Sequence, residues 1–456
     1  MKSSAQQRRG IVLLVDSRTR DLAVATLIAH HLEALGVDCH LEPLEAYRAV
    51  LGAYRPDMIV FNHLTAGHLV SYSKRLAQIG VLTAVLSNEG INYDPEDLKF
   101  NSGKHHPDAH IDWFFCWNEP HRQALMELGF NRRTRIEVIG VPRFDYYIEP
   151  WSRIFYQPSR RPRTRPRVLV CTNFSVAKFF ELPREEGAKL FAAWKDRIPI
   201  YKDYWKAIED HHKASRRVFD YLQAIVDSDK FDITLRPHPR ESVEIYAGWV
   251  ANLPPQMRQC VTVDSTSNIT ALILGCDLEI SCETCTTAME SWIAGKPTIE
   301  LLFERNPMFY HPEHAVCSTA CDAPEKLVAL MDQVLVAESP AILAARQAHL
   351  RKWCNAPDGN SCQRLATLIA SAVKSQPKAD WSKLNATDWR RATKLKLMRN
   401  LGLAYHFDPL MPVKLRLNRG RYAIKNHAYE KSIKPRDVIE ARLQLEKALN
   451  SPTTTT

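Results

Sequence analysis

The sequence has no run of the about 18 apolar residues that a membrane-crossing helix needs. Its first ten residues are polar and basic rather than signal-like, and the next apolar run is only Ile11 to Val15. A cytoplasmic location is the expectation that follows. Paired, framework-like cysteines are missing too: the eleven cysteines are an odd number scattered through apolar segments, as at Cys39, Cys116, Cys171, Cys260 and Cys276. This argues against a disulfide scaffold and predicts reduced core thiols. Charge excess is absent from most of the chain. From Pro377 onward there are 17 Lys+Arg and 7 Asp+Glu, so the +10 net charge is a tail property and the preceding 376 residues carry 44 of each sign. No recognised nucleic-acid module accompanies that charge, which argues against a nucleic-acid partner. The tail interleaves it with apolar residues, in Leu395-Lys396-Leu397-Met398-Arg399 and Val413-Lys414-Leu415-Arg416-Leu417. Such a pattern suits an anionic membrane surface, and equally a solvated basic tail.

What remains is an ordinary composition, 45% hydrophobic and 25% charged, on a chain of 456 residues, too long for one core. In the first half, short apolar runs (11–15, 37–41, 58–61, 81–86, 111–117) alternate with helical patterns (22–35, 44–54, 66–79, 119–129) that Gly36 and Gly80 help to end. The alternation predicts a parallel sheet covered on both faces, whose ligands sit at the carboxyl ends of the strands. The run 81–86 delivers Ser87-Asn88-Glu89-Gly90 to such an end. Gly90 permits a tight turn that exposes the Glu89 carboxylate; a solvated loop glutamate is the plainer reading. A polar loop over 92–110, with His105 and His106, reads as an acceptor-side lid. The Pro- and Arg-rich stretch 151–166 reads as a linker, which predicts an N-terminal domain over 1–150 and a C-terminal domain over 167–376. Residues 361–374 are able to pack back on the first domain, and 377–456 form a basic extension.

In the second half, Val168 to Cys171 ends in Thr172-Asn173-Phe174-Ser175, and the strand pattern from Phe231 to Leu235 ends in Arg236-Pro237-His238-Pro239-Arg240. Two prolines stiffen the backbone around His238, while Arg236 and Arg240 add positive charge suited to a phosphate. The aromatic residues between 177 and 227 read as core. The stretch Cys276 to Leu302 reads strand, loop, helix, turn, strand, with the Thr284, Thr286 and Thr287 hydroxyls beside a helix N-terminus, a place for an anion. Cys282 and Cys285, with Cys317 and Cys321 further on, raise zinc or redox chemistry, but the first pair sits between a strand and a helix, and core thiols are the favoured reading. No metal or cofactor is expected.

Taken in order, Glu89-Gly90, Phe115-Cys116-Trp117, Gly140-Val141-Pro142-Arg143-Phe144-Asp145, Thr172-Asn173-Phe174, Arg236-Pro237-His238-Pro239, and Cys285-Thr286-Thr287 through Glu290 to Gly295-Lys296-Pro297 resemble the surface carbohydrate biosynthesis protein family. That family is similar to the GT-B glycosyltransferases using CMP-activated 2-keto sugar acids, such as Kdo transferases and bacterial sialyltransferases. The resemblance covers about residues 11–374. It implies an α/β GT-B fold, with two Rossmann-like domains facing a cleft, and metal-independent transfer of a Kdo- or sialic-acid-like sugar from a CMP donor to a glycan or glycolipid hydroxyl. Capsule or lipopolysaccharide synthesis at the inner face of the inner membrane is the implied setting. Glu89 would be the base and His238 the leaving-group partner, with Asn173, Arg236, Arg240, Ser281, Thr284, Thr286 and Thr287 around the nucleotide and Glu290 near the ribose. The acidic-acidic-Gly motif of the sialyltransferases is broken at its first position, Asn88. If the enzyme retains configuration, Glu89 or Asp203 would be the nucleophile. Two alternatives stay open: a CDP-alditol phosphotransferase of teichoic-acid type, and a non-catalytic glycan-binding protein.

Overall fold

The computed structural model describes residues 8–156 and 164–450, so the expected linker lies partly outside the described residues, at 157–163. The chain divides into two compact units, the first built from Met1–Ile91, Leu98–Asp145 and Trp353–Thr456, the second from Asn92–Asp97 and Tyr146–Lys352.

In chain order the first unit opens with β1 (Arg9–Val15), α1 (Arg18–Ala34), β2 (Val37–Pro43), α2 (Val50–Tyr54), β3 (Met58–Phe61), α3 (Gly67–Ile79) and β4 (Leu82–Leu86). After α4 (Pro95–Ser102) come β5 (Trp113–Cys116), α5 (Glu119–Glu127) and β6 (Arg135–Val138). All six strands are parallel, in the order β2-β1-β3-β4-β5-β6. Ile11 to Val15 are buried on both faces of β1, as a covered parallel strand requires. Helix α3 ends where Gly80 turns left-handed (φ +90°) and its N–H reaches back to the Leu76 carbonyl. The expected 92–110 loop contains α4, because Pro95 opens it and Ser102 Oγ donates to the Leu98 carbonyl within it. The expected helix over 44–54 is broken into a 3-10 turn (Leu44–Ala46) and the short α2.

The second unit contains β7 (Arg167–Cys171), α6 (Arg184–Phe191), α7 (Tyr204–Asp227), β8 (Asp232–Arg236), α8 (Val243–Ala251), α9 (Pro255–Arg258) and β9 (Val261–Val263). It continues with α10 (Ile269–Gly275), β10 (Leu278–Cys282), α11 (Thr286–Ile293), β11 (Thr298–Leu301), α12 (Pro312–Ala315), β12 (Thr319–Cys321), α13 (Pro324–Val336) and α14 (Pro340–Cys354). Its six parallel strands run β12-β11-β10-β7-β8-β9, with Ile280 registered on Val170 to one side and Ile299 to the other. Both units are thus doubly wound α/β, as expected. Ala214, Val218, Tyr221, Leu222 and Ile225, at helical spacing on α7, pack on one face of this sheet. Phe191, Tyr201, Tyr204 and Trp205 form the aromatic cluster that the sequence pattern predicts.

The boundary expected at 376/377 lies instead at 352/353. Helix α15 (Ser361–Ser375) packs on α1, and its first turn is fixed by Asp145, whose carboxylate accepts from the Ser361 (3.0 Å) and Cys362 (2.7 Å) N–H groups. The basic tail then folds as α16 (Ala386–Asn400), α17 (Met411–Leu417), α18 (Arg419–Lys431) and α19 (Pro435–Asn450). It is no loose appendage: Leu395 and Tyr405 enter the first unit's core. The fully buried Asp388 is gripped by both terminal nitrogens of Arg75.

Candidate functional site

In the second unit the chain reverses its winding between β7 and β10, and the carboxyl ends there are where a parallel sheet accepts ligands. Thr172-Asn173-Phe174 leave β7, and Pro237-His238 follow the end of β8 next to it. One residue outside the sequence-derived set ties the two together. The Glu241 carboxylate accepts from Thr172 Oγ1 (3.0 Å), the Phe174 N–H (3.0 Å), the His238 N–H (3.1 Å) and the Tyr246 hydroxyl (2.5 Å). Burial pushes its pKa up despite these four donors. The signal for it was a glutamate three residues beyond a strand-end histidine, which resembles any loop glutamate.

His238 itself is half-buried, and its Nδ1 accepts the Arg240 N–H at 3.1 Å. That bond leaves the proton on Nε2. Burial, followed by the Arg240 charge, pushes its pKa down to about 4, so the ring is neutral at pH 7 and its Nε2 is a hydrogen-bond donor rather than an acid. Arg236 is not free for a ligand over its whole fork, since Nη1 donates to the Asp264 carbonyl at 2.9 Å. Arg240 is exposed, and Asn173 half-exposed.

The β10–α11 connection carries the strain. Glu283 and Thr284, neither of them glycine, both take left-handed backbone conformations (φ +57° and +45°). They are held there because the Thr284 N–H donates to Glu300 Oε1 at 2.7 Å and its hydroxyl to the Phe309 carbonyl. Alternation along β10 and β11 explains the rest. Ile280, Cys282, Ile299 and Leu301 join the apolar core, which sends Glu279, Ser281, Thr298 and Glu300 to the other face, where all four are fully or almost fully buried. Burial pushes Glu279 to about 8 and Glu300 to about 7, and burial with the nearby Glu300 takes Glu283 to about 8. Glu279 and Glu283 are therefore largely protonated at neutral pH, and Glu300 is protonated in part.

The expected hydroxyl cluster is consequently divided. Ser281 lies wholly inside, Thr284 is engaged by Phe309, and Thr287 donates to Glu279 at 3.0 Å. Thr286 and Thr287 are both half-exposed at the start of α11, but of the four only Thr286 has no side-chain partner among the described residues, and no side chain caps that helix. Glu290 is buried and accepts from the Tyr147 hydroxyl. His211, buried on α7 and stacked on Phe309 at 3.6 Å between ring centroids, has neither ring nitrogen hydrogen-bonded. All eleven cysteines are free; Cys282 sits in the core and Cys285 is half-buried at the helix start.

The first unit has its own pocket, of about 60 Å³, at the ends of β1, β3 and β4, where the winding reverses between β1 and β3. Leu13, Val24, Ile28 and Val60 give it apolar walls, and Arg20, Asp21, Asn62, Asn88 and Arg143 line it as well. Asn88 bridges two of these groups: it accepts from Asn62 Nδ2 (2.8 Å) and donates to Asp21 Oδ2 (3.3 Å). A carboxylate thus stands close by, supplied from the first turn of α1. Glu89 is exposed, hydrogen-bonded to no group among the described residues, and in the field of Arg20. Gly90 serves a different purpose from the one expected: a Cβ there would lie 3.1 Å from the Trp117 ring, so close packing rather than a left-handed turn requires glycine. His105 is buried, its Nδ1 accepting the Leu64 N–H, and His106 Nδ1 accepts the Asp108 N–H, both structural contacts.

No protein-family model matches the chain, and no curated protein matches it. Among solved structures the chain is similar to S. aureus MnaA in complex with UDP, at 10% identity over 81% of this chain and 99% of that one, with a TM-score of 0.46. It is similar to the Methanocaldococcus jannaschii UDP-GlcNAc 2-epimerase in complex with UDP-GlcNAc and UDP (12%, 79% and 99%, 0.45). It is also similar to a glycosyltransferase from Rickettsia africae (12%, 81% and 100%, 0.45). Likeness this distant leaves the chemistry to be argued from the residues.

Proposed function

We propose that the protein is a glycosyltransferase that moves a sugar, a 2-keto acid of Kdo or sialic-acid type, from a CMP donor to a hydroxyl of a glycan acceptor. The observation that carries this is the neutral His238, locked by Arg240 as an Nε2–H donor at the end of β8, one strand from the winding reversal of the second unit. A donor aimed at a departing phosphate oxygen stabilises charge that grows as the bond breaks. In this reading the second unit holds the nucleotide, with Thr286 and the uncapped start of α11 contributing further donors to the phosphate. The bond between the anomeric carbon and the phosphate oxygen breaks, and its electron pair leaves on the phosphate. The acceptor oxygen bonds to the carbon, and its proton passes to Glu89 in the first unit.

The test is transfer from CMP-Kdo, CMP-sialic acid, CDP-glycerol and UDP-GlcNAc in parallel, with thermal-shift titrations of CMP, CDP and UDP, because a ligand of the native state raises apparent stability. His238→Ala and Glu89→Gln should each lower turnover by about 10²-fold or more. Stabilisation by UDP alone overturns the CMP donor, and transfer from CDP-glycerol alone makes the protein a phosphotransferase. Unchanged turnover in both variants removes the catalytic roles.

A further inference from the structure

The transfer reaction makes no use of the tail's outermost surface. Helix α16 packs on α2 and α19 on α1, while α17 and α18 between them pack on each other. At this end of the tail the apolar side chains stay in water: Leu397, Leu401, Leu410, Val413 and Leu417 are 56, 59, 58, 52 and 80% exposed. Leu410, Val413 and Leu417 are spaced i, i+3, i+7, which aligns them as one stripe along α17. From Lys394 to Lys425 the chain has eight Lys+Arg and a single acid, Asp408, which is already paired with Lys414 at 2.6 Å. Lys396, Arg416, Arg419 and Arg421 are exposed, Arg416 on α17 itself and Arg419 and Arg421 at the start of α18, which packs on it.

The two features together select the partner. Nucleic acid would use the cations and leave the leucines in water. A second copy of this chain would cover the leucines but bring like charge against like charge. An anionic bilayer satisfies both, since aliphatic side chains enter the acyl boundary while arginines stay among the headgroups. We propose that α17 and its flanking turns form a peripheral docking element for a membrane rich in anionic phospholipid, with Leu410, Val413 and Leu417 inserted and Arg416, Arg419 and Arg421 in the headgroup layer. Among the described residues no single helix is long and apolar enough to cross a membrane.

The full chain is floated with vesicles of phosphatidylcholine alone and of phosphatidylcholine mixed with phosphatidylglycerol. Bound protein should be about tenfold or more higher on the mixed vesicles and fall with added salt. The triple variant Leu410→Ser, Val413→Ser, Leu417→Ser should lose most of this binding while its thermal melt and its nucleotide shifts stay unchanged, because these side chains support no core. The variant Arg416→Gln, Arg419→Gln, Arg421→Gln should bind both vesicle types alike. Equal binding of the wild type to both vesicles overturns the proposal, as does full binding by the serine triple. A concentration-dependent dimer in sedimentation that the serine triple abolishes, without vesicle binding, gives the surface to a second copy instead.

Discussion

Glu241 is the residue on which the second unit's strand-end geometry depends, and its removal has a calculable cost. In Glu241→Ala four donors lose their acceptor. One of them has a substitute, since the Tyr246 hydroxyl can turn its proton to Thr172 Oγ1, 3.2 Å away. The Thr172 hydroxyl and the Phe174 and His238 N–H groups have none, and a stranded buried donor costs about 1–3 kcal/mol, so the expected loss is about 4 kcal/mol or more. Against a total stability of about 5–15 kcal/mol that is a large fraction. Glu241→Gln should lose only about 1 kcal/mol, because an amide oxygen retains the three donors on Oε1 and the amide NH₂ donates to a rotated Tyr246 hydroxyl. Urea unfolding of wild type, Gln and Ala variants, read by tryptophan fluorescence, gives the order. Nucleotide thermal shifts on the same proteins report on His238, whose backbone Glu241 holds. If the alanine variant is as stable as the glutamine variant, the four-donor anchor is not what fixes these loops.

Four further outcomes follow from the same geometry. The folded pKa values of Glu279 and Glu283 (about 8) and Glu300 (about 7), raised chiefly by burial, lie above the unfolded value. Their contribution is therefore complete below the unfolded pKa of 4.5 and is lost progressively as pH rises from there through about 7–8, so the melting temperature should fall across that range and fall less steeply in Glu279→Gln. Gly140→Ala should cost about 2 kcal/mol or more in a thermal melt, since φ is +91° and the new Cβ would stand 2.7 Å from Ser361 Oγ. Thr286→Val should weaken nucleotide binding and leave the melt alone, whereas Thr287→Val should lower the melt because it strands the buried Glu279 carboxyl. Cys285→Ser should be silent, but Cys282→Ser should destabilise by about 1–3 kcal/mol, as its hydroxyl would enter an apolar core.

The contrast within the Cys276–Leu302 stretch shows what a sequence reveals and what it withholds. Its strand, helix and turn were readable because Gly295, Pro297 and two apolar runs act locally, and the structure places β10, α11 and β11 there with Gly295 left-handed (φ +69°). Which hydroxyls face a ligand was not readable, because that depends on the pleat. The sequence groups Ser281 with Thr284, Thr286 and Thr287; the structure buries Ser281 under the sheet and turns Thr287 inward to Glu279. Glu279 and Glu300 escaped notice for the same reason: a glutamate alternating with Leu278 and Ile280 reads as the wet side of a half-exposed strand. Only the helices packed on that face make it a dry one, and dryness is what raises these carboxyls toward neutrality. Asp21 stands four residues after Ser17 on α1, remote in sequence from Asn88, and meets it only because β1 and β4 flank β3 in one sheet. Asp21 is thus a second carboxylate near Glu89 that the local sequence does not show, and Asp21→Asn tests whether it acts in the proposed transfer: turnover unchanged by Asp21→Asn and abolished by Glu89→Gln would assign the base to Glu89 alone.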